Sequence, residues 1–574
     1  MDHIKQIRER MTDEDVRMLS DIYEPTVVAV PDEDPWHGLT VMRDGRIRFY
    51  GNYQKKSVFD TDCDRCYIES LDGGLSWKRH LDDKQRLGPS VYVPFLDQYM
   101  NVVTGKDGTY ALFAFDPDCK DVRRVLISPT EYIEPKFPFI MKSRQKIAVV
   151  IHERRSDLHP TAFFPVVLCS EDGECWREVH IAPAPFYEKT DPKAGMRWQQ
   201  NNRENTIAEL SDGRLMMLSR TATDYHYVCY SSDGGESWTL PVPSTLHGTG
   251  TMPLLKTLSD GRLLFLWCNT RPLPELPEAD GIWEDVFTNR DVNHAAISED
   301  EGKSWIGMRE MSLNPLRAHA DFRSNGGPED GRDKSNHQFE VLELPFGKIL
   351  AVYGQHKVCR KMVIFDTKWL YEAKRHENFL HGLDSLSTHL YVKSILSGFR
   401  GTADAPNDYA GHCAYNRTHG ALLIPSPESE GHEVLHICRT NDPRLVSNVG
   451  GAVWNFPAAR RGTVTLRVKI AGAPLRVSLL DQWLNPCDPT VGEVAFASFK
   501  LTKEDTPFEF KEISLRFDCE SRKVSIDIEG ASISSFSLKG DMPNGISYLH
   551  LQSGAEEADF DGAMIAELSF QMGI

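Results

Sequence analysis

No stretch of the 574 residues approaches the roughly 20 consecutive apolar side chains that a membrane-spanning helix needs. The opening run MDHIKQIRERMTDEDVRML lacks the apolar core of a secretory leader. It reads as a short charged amphipathic helix, and the cytoplasm is the expected location. Basic charge is in deficit: 65 Lys and Arg stand against 83 Asp and Glu, a formal net charge of -18. That balance argues against a nucleic-acid or anionic-membrane surface and leaves room only for a local basic pocket. The 12 cysteines form no regular framework. Cys63 and Cys66 make a CxxC, but without a second pair at zinc-ribbon spacing or a thioredoxin-like context, so reduced, unligated thiols are expected. There is no HExxH, no Walker loop and no glycine-rich dinucleotide turn, so no metal or cofactor is expected. The acidic run DTDCDRC lacks the spacing of a calcium loop and reads as a solvated turn.

What is present is an internal repeat, the first thing to seek in a chain too long for one core. SLDGGLSW spans Ser70 to Trp77, SSDGGESW Ser231 to Trp238, and SEDEGKSW Ser298 to Trp305. SEDGECW, Ser170 to Trp176, is a copy one residue shorter, with Cys175 in place of serine. In each, Asp accepts backbone N–H groups, Gly supplies the permissive dihedrals, and Trp packs the turn onto its own sheet. A weaker repeat runs alongside it. Hairpin turns at Asp44-Gly45, Asp107-Gly108, Ser143-Arg144, Asp212-Gly213, Asp260-Gly261 and Phe346-Gly347 each lead into a β-rich run such as RIRFYG or KILAVYG. A repeated hairpin cannot bury its faces alone, and radial stacking of small sheets solves that problem. The expectation is an all-β chain with a six-bladed β-propeller over residues 24–372, after an N-terminal helical segment at 1–23. A connector at 373–395 with room for a short helix follows, and then β-rich runs over 396–574 predict a C-terminal jelly-roll β-sandwich.

The repeated turn resembles the Asp-box, or BNR repeat, of the sialidase superfamily, and the resemblance covers the expected propeller. Those boxes lie on the outer rim of the fold, so they speak for architecture and not for chemistry. Sialidases bind the substrate carboxylate with three arginines and use a Tyr nucleophile with its Glu partner and an Asp acid/base. The segment RENTIAELSDGRLMMLSR resembles the one supplying the Glu and the second Arg, which fall on Glu204 and Arg220. TNRDVNHAAISEDEGKSW resembles the segment of the third Arg, here Arg290. Two converging guanidiniums suit a carboxylate, since each offers a bidentate fork.

Elsewhere the chain departs from that pattern. Where the first Arg is expected it reads DPWHGLTVMRDGRIRFYG, with His37 near the position. HQFEVLELPFGKILAVYG resembles the nucleophile strand, but the Tyr position falls on Gln338, beside His337, and an amide is no nucleophile. Asp60 is the candidate acid/base, with Asp62 close behind. Histidines near strand ends (His37, His152, His226, His247, His337) offer replacement acid/base groups.

Three readings follow. One is a glycoside hydrolase acting on an acidic sugar, with Arg220 and Arg290 holding the carboxylate, Asp60 and Glu204 providing acid/base chemistry, and His37 or His337 assisting. Another is a lyase on a uronate-containing glycan, using His37 or His337 with Tyr53 or Tyr225. The last is a carbohydrate-binding protein without turnover, in which the C-terminal domain, similar to concanavalin-like lectins, shares the binding. The segment Pro272 to Asn289 interrupts the fifth repeat and reads either as a wall or lid over the site, with Trp283 a stacking platform for a sugar ring, or as a Pro-rich surface excursion. The expected partner is an acidic oligosaccharide, and whether copies associate into homo-oligomers stays open.

Overall fold

The computed structural model describes the chain apart from residues 1–2, 32–37, 55–62, 82–89, 105–109, 116–121, 128–131, 134–137, 156–162, 186–201, 222, 249, 272–291, 312–337, 355–359, 393–415, 446, 508 and 574. The architecture is nearly all β. Six small antiparallel sheets come first. The first holds Leu39–Val41, Ile47–Gln54, Cys63–Ser70 and Lys78–Leu81. The second runs from Val91–Val93 to Val122–Ile127, and the third centres on Lys146–Arg154 paired with Phe163–Ser170. The fourth holds Thr206–Glu209, Leu215–Ser219, Tyr225–Ser231 and Val242–His247; the fifth, Leu254–Thr257, Leu263–Trp267, His294–Ser298 and Ile306–Glu310. The sixth takes Glu340–Glu343, Lys348–Tyr353 and Lys361–Asp366, and the N-terminal strand Thr26–Ala29 supplies its outer edge.

The hairpins turn where left-handed backbone is available: Gly45 has φ 85°, Gly213 83° and Gly261 91°. A Cβ on Gly45 would sit 2.5 Å from the backbone of Gln6, so no other residue fits there. The third sheet turns without glycine, with Gln145 at φ 50°. In the repeated Ser-x-Asp turns, Ser70 Oγ donates to Asp72 and accepts from Gly74 N at 2.7 Å, while Trp77 donates its indole N–H to Gly74 O at 3.0 Å. The short copy closes one residue earlier, with Gly173 N donating to Ser170 Oγ at 2.8 Å. Burial opposes the charge on Asp233, but hydrogen bonds from Ser237 and Ser231 hold its carboxyl at about 2.

Each sheet shares a hydrophobic seam with the next. Met42 and Tyr50 meet Tyr99, Val93 and Met100 meet Ile147 and Val149, and Ala148 and Val150 meet Ile207 and Met217. Met216 and Leu218 meet Phe265 and Trp267, Leu264 and Ala295 meet Ile349 and Ala351, and Leu350 and Met362 meet Phe49 and Ile68 of the first sheet. Glutamates on the first strands of the fourth and sixth sheets bind three of these seams from within. Glu340 accepts from Gly38 N at 2.9 Å and Leu39 N at 2.8 Å, and Glu209 from Lys142 N at 2.8 Å and Ser143 N at 3.1 Å. Glu343 accepts from Ser259 N at 2.7 Å and Ser259 Oγ at 2.6 Å. Removing such a clamp leaves a partly buried N–H without its acceptor. Glu343→Ala is therefore expected to cost about 1–3 kcal/mol, read as a lower urea midpoint, and Glu343→Gln should recover part of it.

The N-terminal segment forms two helices, His3–Arg10 and Asp13–Asp21, where the sequence suggested one. Thr12 and Asp15 cap the second reciprocally. Its last carbonyls are tied down by Lys348 Nζ, which reaches Ser20 O at 3.0 Å and Asp366 at 2.9 Å.

Beyond residue 372, an eight-stranded and a five-stranded sheet share one core that includes Trp454, Phe456, Leu466, Leu551, Ile565 and Phe570. The stretch expected as a connector contributes Lys374–Glu377, an edge strand that pairs with Asp559–Met572. These sheets dock on the fourth and fifth small sheets through polar contacts. Asn455 donates to Met308 O at 3.1 Å and accepts from Glu310 N at 3.0 Å. Trp483 N donates to Asn269 O at 2.8 Å, and His294 Nε2 lies 2.5 Å from the Tyr548 hydroxyl.

Candidate active site

Thr206 pairs with Leu218 at the end of the first hairpin of the fourth sheet. Two residues further out on each strand stand Glu204 and Arg220, and Asn202 N donates to Arg220 O at 2.7 Å to hold the end closed. One carboxylate oxygen of Glu204 accepts from an Arg220 guanidinium nitrogen. The other accepts from Gln338 Nε2 at 3.1 Å. Gln338 stands two residues before the first strand of the sixth sheet, so the contact joins two sheets that are not neighbours. All three side chains are buried.

The backbone here is unusual. Asn202, Glu204 and Gln338, none of them glycine, adopt φ of 62°, 58° and 69°. Such conformations cost on the order of 1–3 kcal/mol each and concentrate where geometry serves function. Because Gln338 must turn its NH₂ toward a carboxylate, its Oε1 faces the other way. That oxygen is buried and has no hydrogen-bond partner among the described residues. An acceptor left in that state costs about 1–3 kcal/mol.

The chemistry follows from the wiring. A carboxylate bound at one oxygen by a guanidinium and at the other by an amide is poorly placed to take a substrate proton. It is well placed to fix both donors. Three of the residues singled out from the sequence, Glu204, Arg220 and Gln338, are thus brought together. His37, Asp60, Trp283, Arg290 and His337, and with them Asp62, lie outside the described residues, as do the side chain of Tyr53 and the turn at Asp107-Gly108.

The other histidines separate into different environments. His152 is buried in the third sheet, its Nε2 3.5 Å from Asn205 N. His226 is sealed against Phe265, and burial lowers its pKa to about 4, so it stays neutral at physiological pH. His247 lies at the outer edge of the fourth sheet, where its Nε2 meets Asp481 of the C-terminal sheets at 2.9 Å. Burial works against its charge, but Asp481 raises its pKa above the ordinary histidine value. Asp481 carries no motif that sequence reading could have found. Among the described residues no group of His, Cys, Asp and Glu side chains is arranged to hold a metal ion.

With this geometry in place, comparison with known proteins gives the following. Residues 35–316 match the model of a BNR repeat-like domain. No curated protein matches the chain. Similar solved structures include Trypanosoma rangeli sialidase in complex with 2,3-difluorosialic acid as a covalent intermediate, 13% identical, covering 96% of this chain and 94% of that one, with a TM-score of 0.34. A mutant of Trypanosoma rangeli sialidase displaying trans-sialidase activity is 13% identical over 96% of this chain and 95% of its own, with a TM-score of 0.32. A protein of unknown function from Dyadobacter fermentans is 16% identical, covering 60% of this chain and 98% of that one, with a TM-score of 0.34. Likeness at this level assigns neither a substrate nor a role to any residue.

Proposed function

Residues 35–316 make this chain a member of the BNR-repeat, sialidase-like superfamily, and on that premise we propose that it is a glycosidase acting on a carboxylate-bearing sugar through a rebuilt site. The succession of hydrophobic seams from first sheet to sixth and back to the first supports a six-bladed propeller over residues 24–372. The two sheets around a common core support a β-sandwich over residues 396–574. In this reading the inner strand ends of the fourth and sixth blades meet at the mouth of the channel.

The observation that carries the proposal is the buried Arg220–Glu204–Gln338 constellation, whose amide oxygen has no partner among the described residues. Arg220, with Arg290, binds the sugar carboxylate, and Gln338 Oε1 accepts from a sugar hydroxyl or amide N–H. Glu204 positions both partners. Acid/base work then falls to Asp60, with His37 or His337 assisting, and Trp283 stacks on the ring. A glutamine at the nucleophile position favours direct attack by water over a covalent enzyme intermediate.

The test is turnover of a panel of aryl glycosides, each carboxylate-bearing sugar paired with its methyl ester. Arginine recognition of the carboxylate predicts that esterification lowers kcat/KM by about a hundredfold or more. Equal turnover of acid and ester would overturn the arginine role. An unsaturated uronate product in place of a reducing sugar would overturn hydrolysis in favour of elimination.

A further inference from the structure

We propose that Tyr225 is a stacking platform for a second sugar ring of the substrate glycan, held in place by His247 and, from the C-terminal sheets, by Asp481. The inference rests on the carbohydrate reading above and adds to it a subsite shared between the two parts of the chain.

The placement comes from the hairpin that carries Arg220. The strand Leu215–Ser219 ends just before Arg220, and the return strand Tyr225–Ser231 begins four residues after Thr221. Ser219 pairs with Tyr227, and the Thr221 hydroxyl donates to Tyr225 O at 2.6 Å. Tyr225 therefore stands at the same end of the fourth sheet as Arg220, one strand further from the centre.

The ring is built to be rigid and open. One face lies against the His247 imidazole, with centroids 4.8 Å apart and planes inclined by 26°. His247 is fixed in turn by the 2.9 Å contact between its Nε2 and Asp481 Oδ2. Asp481 is anchored through its own carbonyl, which accepts from Asn269 Nδ2 of the fifth sheet at 2.7 Å. Yet Tyr225 is 38% exposed, and its hydroxyl has no hydrogen-bond partner among the described residues.

Two polar side chains from separate parts of the fold thus immobilise an aromatic ring that stays partly exposed. A tyrosine needed only for packing would turn its apolar body inward. One immobilised in advance loses little conformational freedom when a ligand arrives, and its electron-rich face suits the polarised C–H groups of a pyranose. The hydroxyl remains free to bond a sugar oxygen.

The experiment compares the full-length wild type with Tyr225→Ala, Tyr225→Leu, Tyr225→Phe and Asp481→Asn. Two substrates are used: an oligosaccharide of at least three residues, and the aryl glycoside of its terminal acidic sugar. The expected result is that the ratio of kcat/KM for oligosaccharide over aryl glycoside falls about three- to tenfold in Tyr225→Ala and Tyr225→Leu, through KM. Tyr225→Phe should keep most of the ratio, and Asp481→Asn should fall between. An unchanged ratio in both Tyr225→Ala and Tyr225→Leu, with the wild type active, overturns the platform and leaves the proposed function standing. A wild type that neither turns over nor binds any carbohydrate overturns both.

Discussion

Arg220→Met is expected to lower the unfolding free energy by about 3–5 kcal/mol, because it removes the counter-charge of a buried carboxylate while keeping most of the side-chain volume. Glu204 and Arg220 are both almost fully excluded from solvent, at 5% and 3% exposure, so water cannot take over the lost interaction. Glu204→Gln should cost less, since it leaves a buried guanidinium that can still donate to the amide oxygen. The double variant Glu204→Gln/Arg220→Met should be more stable than Arg220→Met alone, as the orphaned charge is gone. That non-additivity, up to about 3 kcal/mol in a double-mutant cycle of urea midpoints, is the signature of a direct pair. Additive losses would show that the two residues act separately. The same Arg220→Met protein should discriminate less between an acidic sugar and its ester, which separates the ligand role of Arg220 from its structural one.

How much of this was legible in the sequence differs by level. The Ser-x-Asp turns and the Asp-Gly hairpins are local, and their chemistry is written in adjacent residues. The turn at Gln145 is not, because a left-handed glutamine is imposed by the two strands it joins. The inter-sheet clamps of Glu209, Glu340 and Glu343 had no sequence signal: a glutamate on a strand reads as solvent-facing until its backbone partners are known. The last strand, Asp559–Met572, carries a weak sequence signal, because acidic residues and Gly562 interrupt its alternation. It is stabilised by pairing with neighbours on both sides. Lys374–Glu377 is wholly polar, and it becomes a strand only because an edge was available to it.

At the site, register alone placed Glu204 opposite Arg220, since sixteen residues with a tight turn midway must return to the same end of a hairpin. The approach of Gln338, 134 residues away, depends on how six sheets are arranged and could not be read from the chain. Nor could the contact between His247 and Asp481, which are 234 residues apart. Local chemistry is therefore legible, and the assembly of distant strand ends is what the structure adds.

Gln338→Glu is expected to make stability fall as pH rises. The new carboxyl would stand within hydrogen-bond distance of Glu204 in a buried setting, so like charge and desolvation would both raise its folded-state pKa. A carboxyl whose folded pKa exceeds its unfolded value, near 4.3 for glutamate, does no harm below that value. Its cost then grows as pH climbs toward the folded pKa and levels off above it. At pH about 4 the variant should therefore sit near the wild type, with one proton shared between the two carboxyls. By pH about 8 a shift of roughly two units would cost about 3 kcal/mol. Gln338→Met provides the comparison: it removes the amide donor without adding charge, so its loss should not vary with pH. Adding Glu204→Gln to Gln338→Glu should reduce the pH dependence, because the like charge is gone and only the desolvation of the new carboxylate remains. Urea midpoints from pH 4 to 8, each referred to the wild type at the same pH, decide the matter. A Gln338→Glu difference that is flat across that range would mean that Gln338 does not face Glu204 in solution, and the reading of the site as one connected group would fall with it.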